Sequence, residues 1–331
     1  MCYHRQYRGV STAHKGGPRS LHSSSGGALP ALPVGPRVRG GSTPVKGPGW
    51  KRTLALPPAV RLIWHESEIH PRDIPIDDLY TRLEFPTPPG PLPYLIANMI
   101  MTQNGEATIE GRAATIGTPV DALVLTRLRA AADVLLIGAG TMETDDVGAA
   151  LPEPEVARRI ATGRPGRLLA AVLASDLAWD EAVLSRRFFS DVRFDKVVIT
   201  GDRASPEEVR RIEARGVKVL RVKSGPDGPP DVHAALEALR LWGARLVLSE
   251  GGPRVLGSLL RARVLGEYFL TTSPFVTGEA GTPRPIIGPV TSGDRPIVLA
   301  RVSRCEFAFV DPASGTALVE AYDRFRVVYP S

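Results

Sequence analysis

Two glycine-bearing stretches, each following an apolar run, are where this sequence can stage chemistry. Asp133-Val134-Leu135-Leu136-Ile137 runs into Gly138-Ala139-Gly140-Thr141-Met142-Glu143, and Arg245 to Leu248 runs into Ser249-Glu250-Gly251-Gly252-Pro253. A strand that ends on glycine and opens a helix leaves uncovered main-chain N–H groups at the positive end of a helix dipole, which suits a phosphate. The first stretch begins like a dinucleotide fingerprint but carries Glu143 where the third glycine belongs, so a standard Rossmann site is excluded. The second, Gly252 to Ser258, has P-loop spacing without a lysine before the serine, which excludes an ATPase. What remains is an anion site over Gly251, Gly252 and the helix start at Pro253, large enough for a pyrophosphate. Its alternative is a glycine pair that only permits a tight turn. Arg254 either adds charge there or is simply solvated, whereas Glu250, a carboxylate at a strand end, needs a compensating partner.

The elements that must position these stretches alternate. Leu92 to Met101 is a mostly apolar run, interrupted by Asn98, that ends at Thr102-Gln103-Asn104-Gly105, and Asn-Gly is a strong turn signal. Thr118-Pro119-Val120-Asp121 supplies an N-cap, a first-turn proline and an acidic N3 residue for a helix to about Ala131. Strands are predicted over 133–137, 168–173, 196–200, 217–222, 245–248 and 268–272. Helices are predicted over 205–215, 231–242 and from Pro253. Residues 302–310 and 317–328 form a final hairpin around Asp311-Pro312-Ala313-Ser314-Gly315. The fold class is therefore α/β, a mainly parallel mixed sheet with helices on both faces and a C-terminal antiparallel hairpin.

The 331 residues are 43% hydrophobic with a formal charge of +6, but no Asp or Glu precedes Glu66. Ten of the Lys and Arg lie in residues 1–65, and the other 266 residues carry 31 basic against 35 acidic side chains, a net of −4. The basicity belongs to the first fifty residues, which are rich in Gly, Ser, Pro and Arg and read as a disordered tail, an organellar leader or sequence upstream of the true start. A nucleic-acid partner is not indicated. No run approaches a membrane span, so a cytoplasmic protein is expected. Residues 51–91 read as an extended, Pro-rich lead-in, and 92–330 as the working domain. Cys2 and Cys305 give no disulfide or zinc framework, and His65, His70 and His233 have no metal-ligand spacing.

From Leu92 to about Val328 the chain resembles the pyrimidine reductase family of riboflavin biosynthesis, the reductase domain with a dihydrofolate-reductase-like fold. The marks occur in order: Met101-Thr102-Gln103-Asn104-Gly105, Leu128-Arg129-Ala130, Ile137-Gly138-Ala139-Gly140-Thr141 with Asp145-Asp146, and Glu250 to Pro253. The resemblance implies NADPH as cofactor, contacting Met101, Thr141, Asp145, Ser175 and Gly251, Gly252, Pro253, Arg254, Val255, Leu256 and Gly257. It implies a substrate side of Thr102, Asn104, Arg129 and Glu250, with Glu250, Asp145 and Asn104 as catalytic candidates and no metal. The reaction implied is hydride transfer to a small heterocyclic substrate like 5-amino-6-(5-phosphoribosylamino)uracil, in a homodimer. The zinc-deaminase signature is absent from the sequence, so a free-standing reductase is expected.

The departures from the family pattern lie on the substrate side: Asn98 replaces a strand lysine, Asn104 an aspartate, Ala113-Ala114-Thr115 a Ser-x-Trp stretch, and Val147 a proline. They leave two rivals, a same-fold reductase of a pterin or dihydrofolate and a non-catalytic nucleotide binder.

Overall fold

The computed structural model describes residues 54–330 apart from 89, 110, 114, 115, 226, 227, 279, 280, 289, 291–294 and 313. The expectations for the first fifty residues and for Ala114 and Thr115 lie outside the described residues. In chain order the elements are β1 (Ala59–His65), β2 (Arg72–Pro75), β3 (Tyr94–Met101), α1 (Pro119–Ala131), β4 (Val134–Gly138), α2 (Ala139–Asp145), α3 (Glu153–Ala161), β5 (Leu169–Ala174), α4 (Glu181–Leu184) and α5 (Arg187–Ser190). They continue with β6 (Asp195–Gly201), α6 (Pro206–Glu213), β7 (Lys218–Val222), α7 (Val232–Leu241), β8 (Leu246–Ser249), α8 (Pro253–Arg261), β9 (Glu267–Thr272), β10 (Val298–Val310) and β11 (Ala317–Val328).

One sheet runs β2-β1-β10-β11-β9-β3-β8-β4-β5-β6-β7. From β9 to β7 every pairing is parallel, and from β9 to β2 every pairing is antiparallel. The parallel half has helices on both faces, which is why β4 is buried at all five residues. Leu135 and Ile137 pack with Val120, Val124 and Leu128 of α1 and Met142 of α2, while Val134 and Leu136 pack with Leu236 and Leu239 of α7 and Leu256 and Leu259 of α8. The mixed α/β sheet and the C-terminal hairpin expected from the sequence are both present.

The lead-in reading of 51–91 needs correction. Residues 59–65 and 72–75 are strands that pair with each other and, through β1, with β10, so this stretch extends the same sheet. Alternation in Ala59–His65 buries Val60 and Leu62 on one side of a strand too short for a clear periodic signal. Helix α3 was also not predicted, and it matters for position. Its Arg159, 1% exposed, donates to the carbonyl oxygens of Ala130 (3.1 Å), Arg129 (3.3 Å) and Ala132, and so ties down the last turn of α1, where Arg129 stands.

Candidate active site

The carboxyl ends of β3, β8, β4 and β5 lie side by side, and both glycine stretches meet there. Gly138 N–H donates to Gly251 O at 2.7 Å. A Cβ on Gly252 would lie 2.6 Å from Thr141 Oγ1, and one on Gly138 would lie 2.8 Å from Val255 Cγ2, so neither position has room for a side chain. The Gly251–Gly252 peptide is cis.

Helix starts separate into two kinds. Thr118, Asp180, Ser205 and Asp231 cap α1, α4, α6 and α7 through their side chains. Helices α2, α3, α5 and α8 have no side-chain cap, and of these α2 and α8 start on glycines, Gly138 and Gly252, where α3 and α5 start on Pro152 and Arg186. Helices α2 and α8 open from adjacent strands, so two sets of first-turn N–H groups and two positive dipole ends face one small region.

Several residues expected on the cofactor side belong to this region. Thr141 stands against Gly252, Met101 ends β3, Ser175 is exposed just past β5, and Arg254 is exposed in the first turn of α8. Asp145 ends α2, where Oδ1 is buried without a hydrogen-bond partner. Burial raises its carboxyl above the ordinary aspartate range, opposed by the charges of Arg112 and Arg186. The α8 stretch must be shortened as a cofactor surface. Leu256 is fully buried in the core, Gly257 is covered by the main chain of Ile287, and Val255 fills the space beside Gly138.

The substrate-side expectations change more. Arg129 and Glu250 bind each other in a bidentate pair, Nε to Oε1 at 2.5 Å and Nη2 to Oε2 at 2.6 Å, and Arg129 Nη1 donates to Gly148 O at 3.0 Å. Desolvation works against the Arg129 charge, but the Glu250 carboxylate more than offsets it and holds the guanidinium pKa above its usual value. Arg129 is therefore the compensating partner that Glu250 required. Thr102 is fully buried and donates to Asn104 Oδ1 at 2.7 Å, so its hydroxyl is occupied within the turn. The amide of Asn104 is occupied as well: Nδ2 donates to Thr277 O at 2.5 Å, and Oδ1 accepts from Thr277 N at 3.2 Å. This reciprocal pair staples the turn to the segment after β9, and a carboxylate could not supply its donor half.

Two further groups escaped sequence reading as site elements. Asn98, noted only as a departure, is a buried polar residue in an apolar strand, its Oδ1 without a hydrogen-bond partner among the described residues. Its interruption of the run was the signal. Glu320 of β11 is fully buried, accepting from Thr118 N (3.1 Å), Thr118 Oγ1 (2.5 Å) and Tyr322 Oη (2.5 Å) at the start of α1. Burial, with the nearby charge of Asp121, pushes its carboxyl up to about 8. Only contacts spanning some two hundred residues reveal that role. A cavity of about 430 Å³ opens at the opposite end of β3, among Leu92, Tyr94, Leu265, Val327 and Tyr329. The hydroxyls of Tyr94 and Tyr329 there are bonded to Glu267 and to the main chain of Leu265.

The class is an α/β protein with a mostly parallel sheet and two glycine-started helices without side-chain caps at adjacent strand tips. Comparison with known proteins gives the particular family. Residues 93–302 match the RibD C-terminal domain, and the chain belongs to that family, whose members are NAD(P)H-dependent pyrimidine reductases. It is 26% identical over 194 residues to a 2,5-diamino-6-ribosylamino-4(3H)-pyrimidinone 5′-phosphate reductase of Archaeoglobus fulgidus, covering 58% of this chain and 84% of that one. It is 26% identical over 197 residues to the riboflavin biosynthesis protein RibD of Chlamydia pneumoniae, covering 59% of this chain and 49% of the relative, about half its length. A pyrimidine reductase-like protein of Corynebacterium diphtheriae shares the fold, with a TM-score of 0.58, 24% identity and coverage of 72% and 93% of the two chains. Among the described residues no helix is long and apolar enough to cross a membrane.

Proposed function

We propose that the chain reduces a ribosylaminopyrimidine 5′-phosphate with NADPH. One observation carries the reading: the two helices that open from adjacent strands β4 and β8 start on glycine without side-chain caps, whereas the other two helices without such caps, α3 and α5, start on Pro152 and Arg186. Uncapped helix starts packed together are a natural seat for a pyrophosphate.

The residues present fit such a group. Gly138, Thr141, Gly251, Gly252 and the first turns of α2 and α8 would hold its phosphates, because the glycines bring the two strand ends and the Thr141 hydroxyl close together at the helix starts. Met101, Asp145, Ser175 and Arg254 would flank it. When bound, the cofactor supplies a hydride for the substrate. On the α1 side, the Arg129–Glu250 pair is a rigid, internally neutralised wall against which a ring can be oriented.

Of the three catalytic candidates, Glu250 is paired with Arg129 and Asn104 with Thr277. Asp145 alone of the three keeps a buried atom without a partner among the described residues, and its raised pKa favours holding a proton there.

The test is NADPH oxidation by the purified full chain with the diaminopyrimidinone phosphate that names the Archaeoglobus relative, with the corresponding aminouracil phosphate, and with dihydrofolate. Turnover of a pyrimidine and none of dihydrofolate is expected, and Asp145→Asn should lower kcat about a hundredfold while NADPH still binds. Tight NADPH binding with no oxidation on any of the three would contradict the reading.

A further inference from the structure

Helices α3, α7 and α8 end in the same way, and one of them breaks the sequence rule for that ending. Each closes with two main-chain bonds around a residue in the left-handed region. In α3 these are Gly163 N to Ile160 O and Arg164 N to Arg159 O, and in α7 Gly243 N to Arg240 O and Ala244 N to Leu239 O. In α8 they are Arg263 N to Leu260 O and Val264 N to Leu259 O. The turning residue is glycine at φ +76° and +95° in α3 and α7, but Arg263 at φ +59° in α8. Glycine suits that backbone and a side chain is disfavoured there, so Arg263 is kept for what its guanidinium does.

That guanidinium stands between two recesses. On one side is the cavity of about 430 Å³ at the amino end of β3, walled by Leu92, Tyr94, Leu265 and Val327. Its tyrosine hydroxyls are already taken, Tyr94 Oη by Glu267 and Tyr329 Oη by the main chain of Leu265, so the walls offer apolar contact. On the other side a smaller recess is lined by Arg261, Arg263 and Arg295, with Tyr329 shared by both. Arg263 lies 5.3 Å from the centre of the Tyr329 ring and donates to Pro330 O at 2.5 Å. Arg324 and Arg326 are paired with Glu267 and Glu66, whereas among the described residues Arg261, Arg263 and Arg295 have no carboxylate partner. Arg261, in the last turn of α8, already offsets the helix dipole, and Arg295 comes from the segment before β10 and has no share in that helix. Over residues 66–331 acids outnumber bases 35 to 31, so guanidinia gathered here without an acid make a local seat for a multiply charged anion.

We propose that the two recesses form a second ligand site, separate from the proposed cofactor seat, for a small phosphate monoester carrying a flat apolar body. The phosphate sits among Arg261, Arg263 and Arg295, and the body enters the cavity beside Tyr94 and Tyr329. Charge complementarity sets the headgroup, because a phosphate monoester brings three acceptor oxygens and close to two charges to several guanidinia at once. The cavity sets the body, since its volume is that of a pocket for one small molecule. Helix α8 opens at the cofactor seat and ends at Arg261, so about 13 Å of helix separates the two sites.

The experiment is calorimetric titration of the full chain, with and without NADPH, using 1-naphthyl phosphate, 1-naphthol and inorganic phosphate. A parallel arm measures co-sedimentation with phosphatidylcholine vesicles that contain phosphatidic acid. The ester should bind at least about tenfold more tightly than either of its halves, equally with and without NADPH, and Arg295→Gln and Arg263→Gly should each weaken it about tenfold. Arg295→Gln should keep the wild-type Tm, since no protein acceptor loses its donor. No binding of the ester, or inorganic phosphate binding as tightly as the ester, overturns the proposal. Displacement of the ester by NADPH places it in the cofactor seat and also overturns it. So does an Arg263→Gly variant that loses Tm yet binds the ester as the wild type does, which marks Arg263 as a fastening of the chain end. Sedimentation with the vesicles without binding of the soluble ester assigns the arginines to a membrane surface and likewise overturns it.

Discussion

Two buried bidentate Arg–Glu pairs sit at opposite ends of this sheet, and they are built differently. At the amino end of β9, Arg324 holds Glu267 at 2.7 and 3.0 Å, Tyr94 Oη donates to the same carboxylate at 3.2 Å, and Arg324 Nη2 donates to Glu84 O at 3.1 Å. Phe85 and Phe269 lie 5.4 and 5.6 Å from the guanidinium. At the carboxyl end of β8, Arg129 holds Glu250 at 2.5 and 2.6 Å and likewise donates to one carbonyl, but no tyrosine hydroxyl among the described residues joins the carboxylate. The first pair is closed by its own neighbours and fastens β11 to β9. The second stands at the strand ends where the glycine-started helices α2 and α8 open. The same salt bridge is a fastening where its surroundings are complete and a recognition surface where they are not.

That contrast breaks most visibly through Arg324. Arg324→Ala should cost about 3–5 kcal/mol in chemical denaturation, because it strands a buried carboxylate. The pyrimidine and NADPH affinities of whatever protein remains folded should be unchanged. Arg129→Ala should cost less, about 2–3 kcal/mol, and raise the pyrimidine KM at least tenfold. Equal stability losses with no change in KM would make the two pairs alike and erase the distinction.

Gly252→Ala sharpens the same line from the cofactor side. Its Cβ would meet the Thr141 hydroxyl, so NADPH affinity should fall about tenfold or more, about 1.4 kcal/mol, in a titration that leaves the pyrimidine-side residues intact.

A third buried carboxylate, Glu320, is held by Thr118 and Tyr322, with no arginine among its described partners, and answers to pH instead. Its folded pKa, raised mainly by burial to about 8 from 4.5, means that the folded state holds the proton more tightly than the unfolded state. The resulting stabilisation is full below about pH 4.5 and is lost as the pH rises toward 8. Wild-type Tm should therefore fall across that window relative to Glu320→Gln, whose own profile should be flatter, and parallel profiles would refute the assignment. The smallest effect is expected at Arg61–Asp73, where both side chains are at least half exposed. Arg61→Ala should cost under about 1 kcal/mol.

What the sequence makes legible follows the range of the interaction. The Thr118 cap with Pro119 at the first helical position is local, and Thr118 Oγ1 does accept from Val120 N. The Asn104-Gly105 turn is local too, with Gly105 at φ +80°. Both glycine stretches stand where strand ends put them. The partners of those same residues are remote: Glu320 lies 202 positions from Thr118, Thr277 lies 173 from Asn104, and Glu250 lies 121 from Arg129. Periodicity carries no record of such pairs, so the sequence shows neither the Arg129–Glu250 pair nor the bond of Asn104 to Thr277. β1 was illegible for a different reason, since its two buried residues count only against β10, which comes more than two hundred positions later.

The central claim is that the paired helix starts at β4 and β8 seat a dinucleotide. Its most direct test is a thermal-shift titration of the full chain with NADPH, run in parallel on Gly252→Ala. The account predicts a concentration-dependent rise for the wild type, reaching about 2.7 kcal/mol of stabilisation at a hundred times Kd, and a weaker rise for the variant at every concentration. No shift in the wild type, or identical curves for the two proteins, would contradict it.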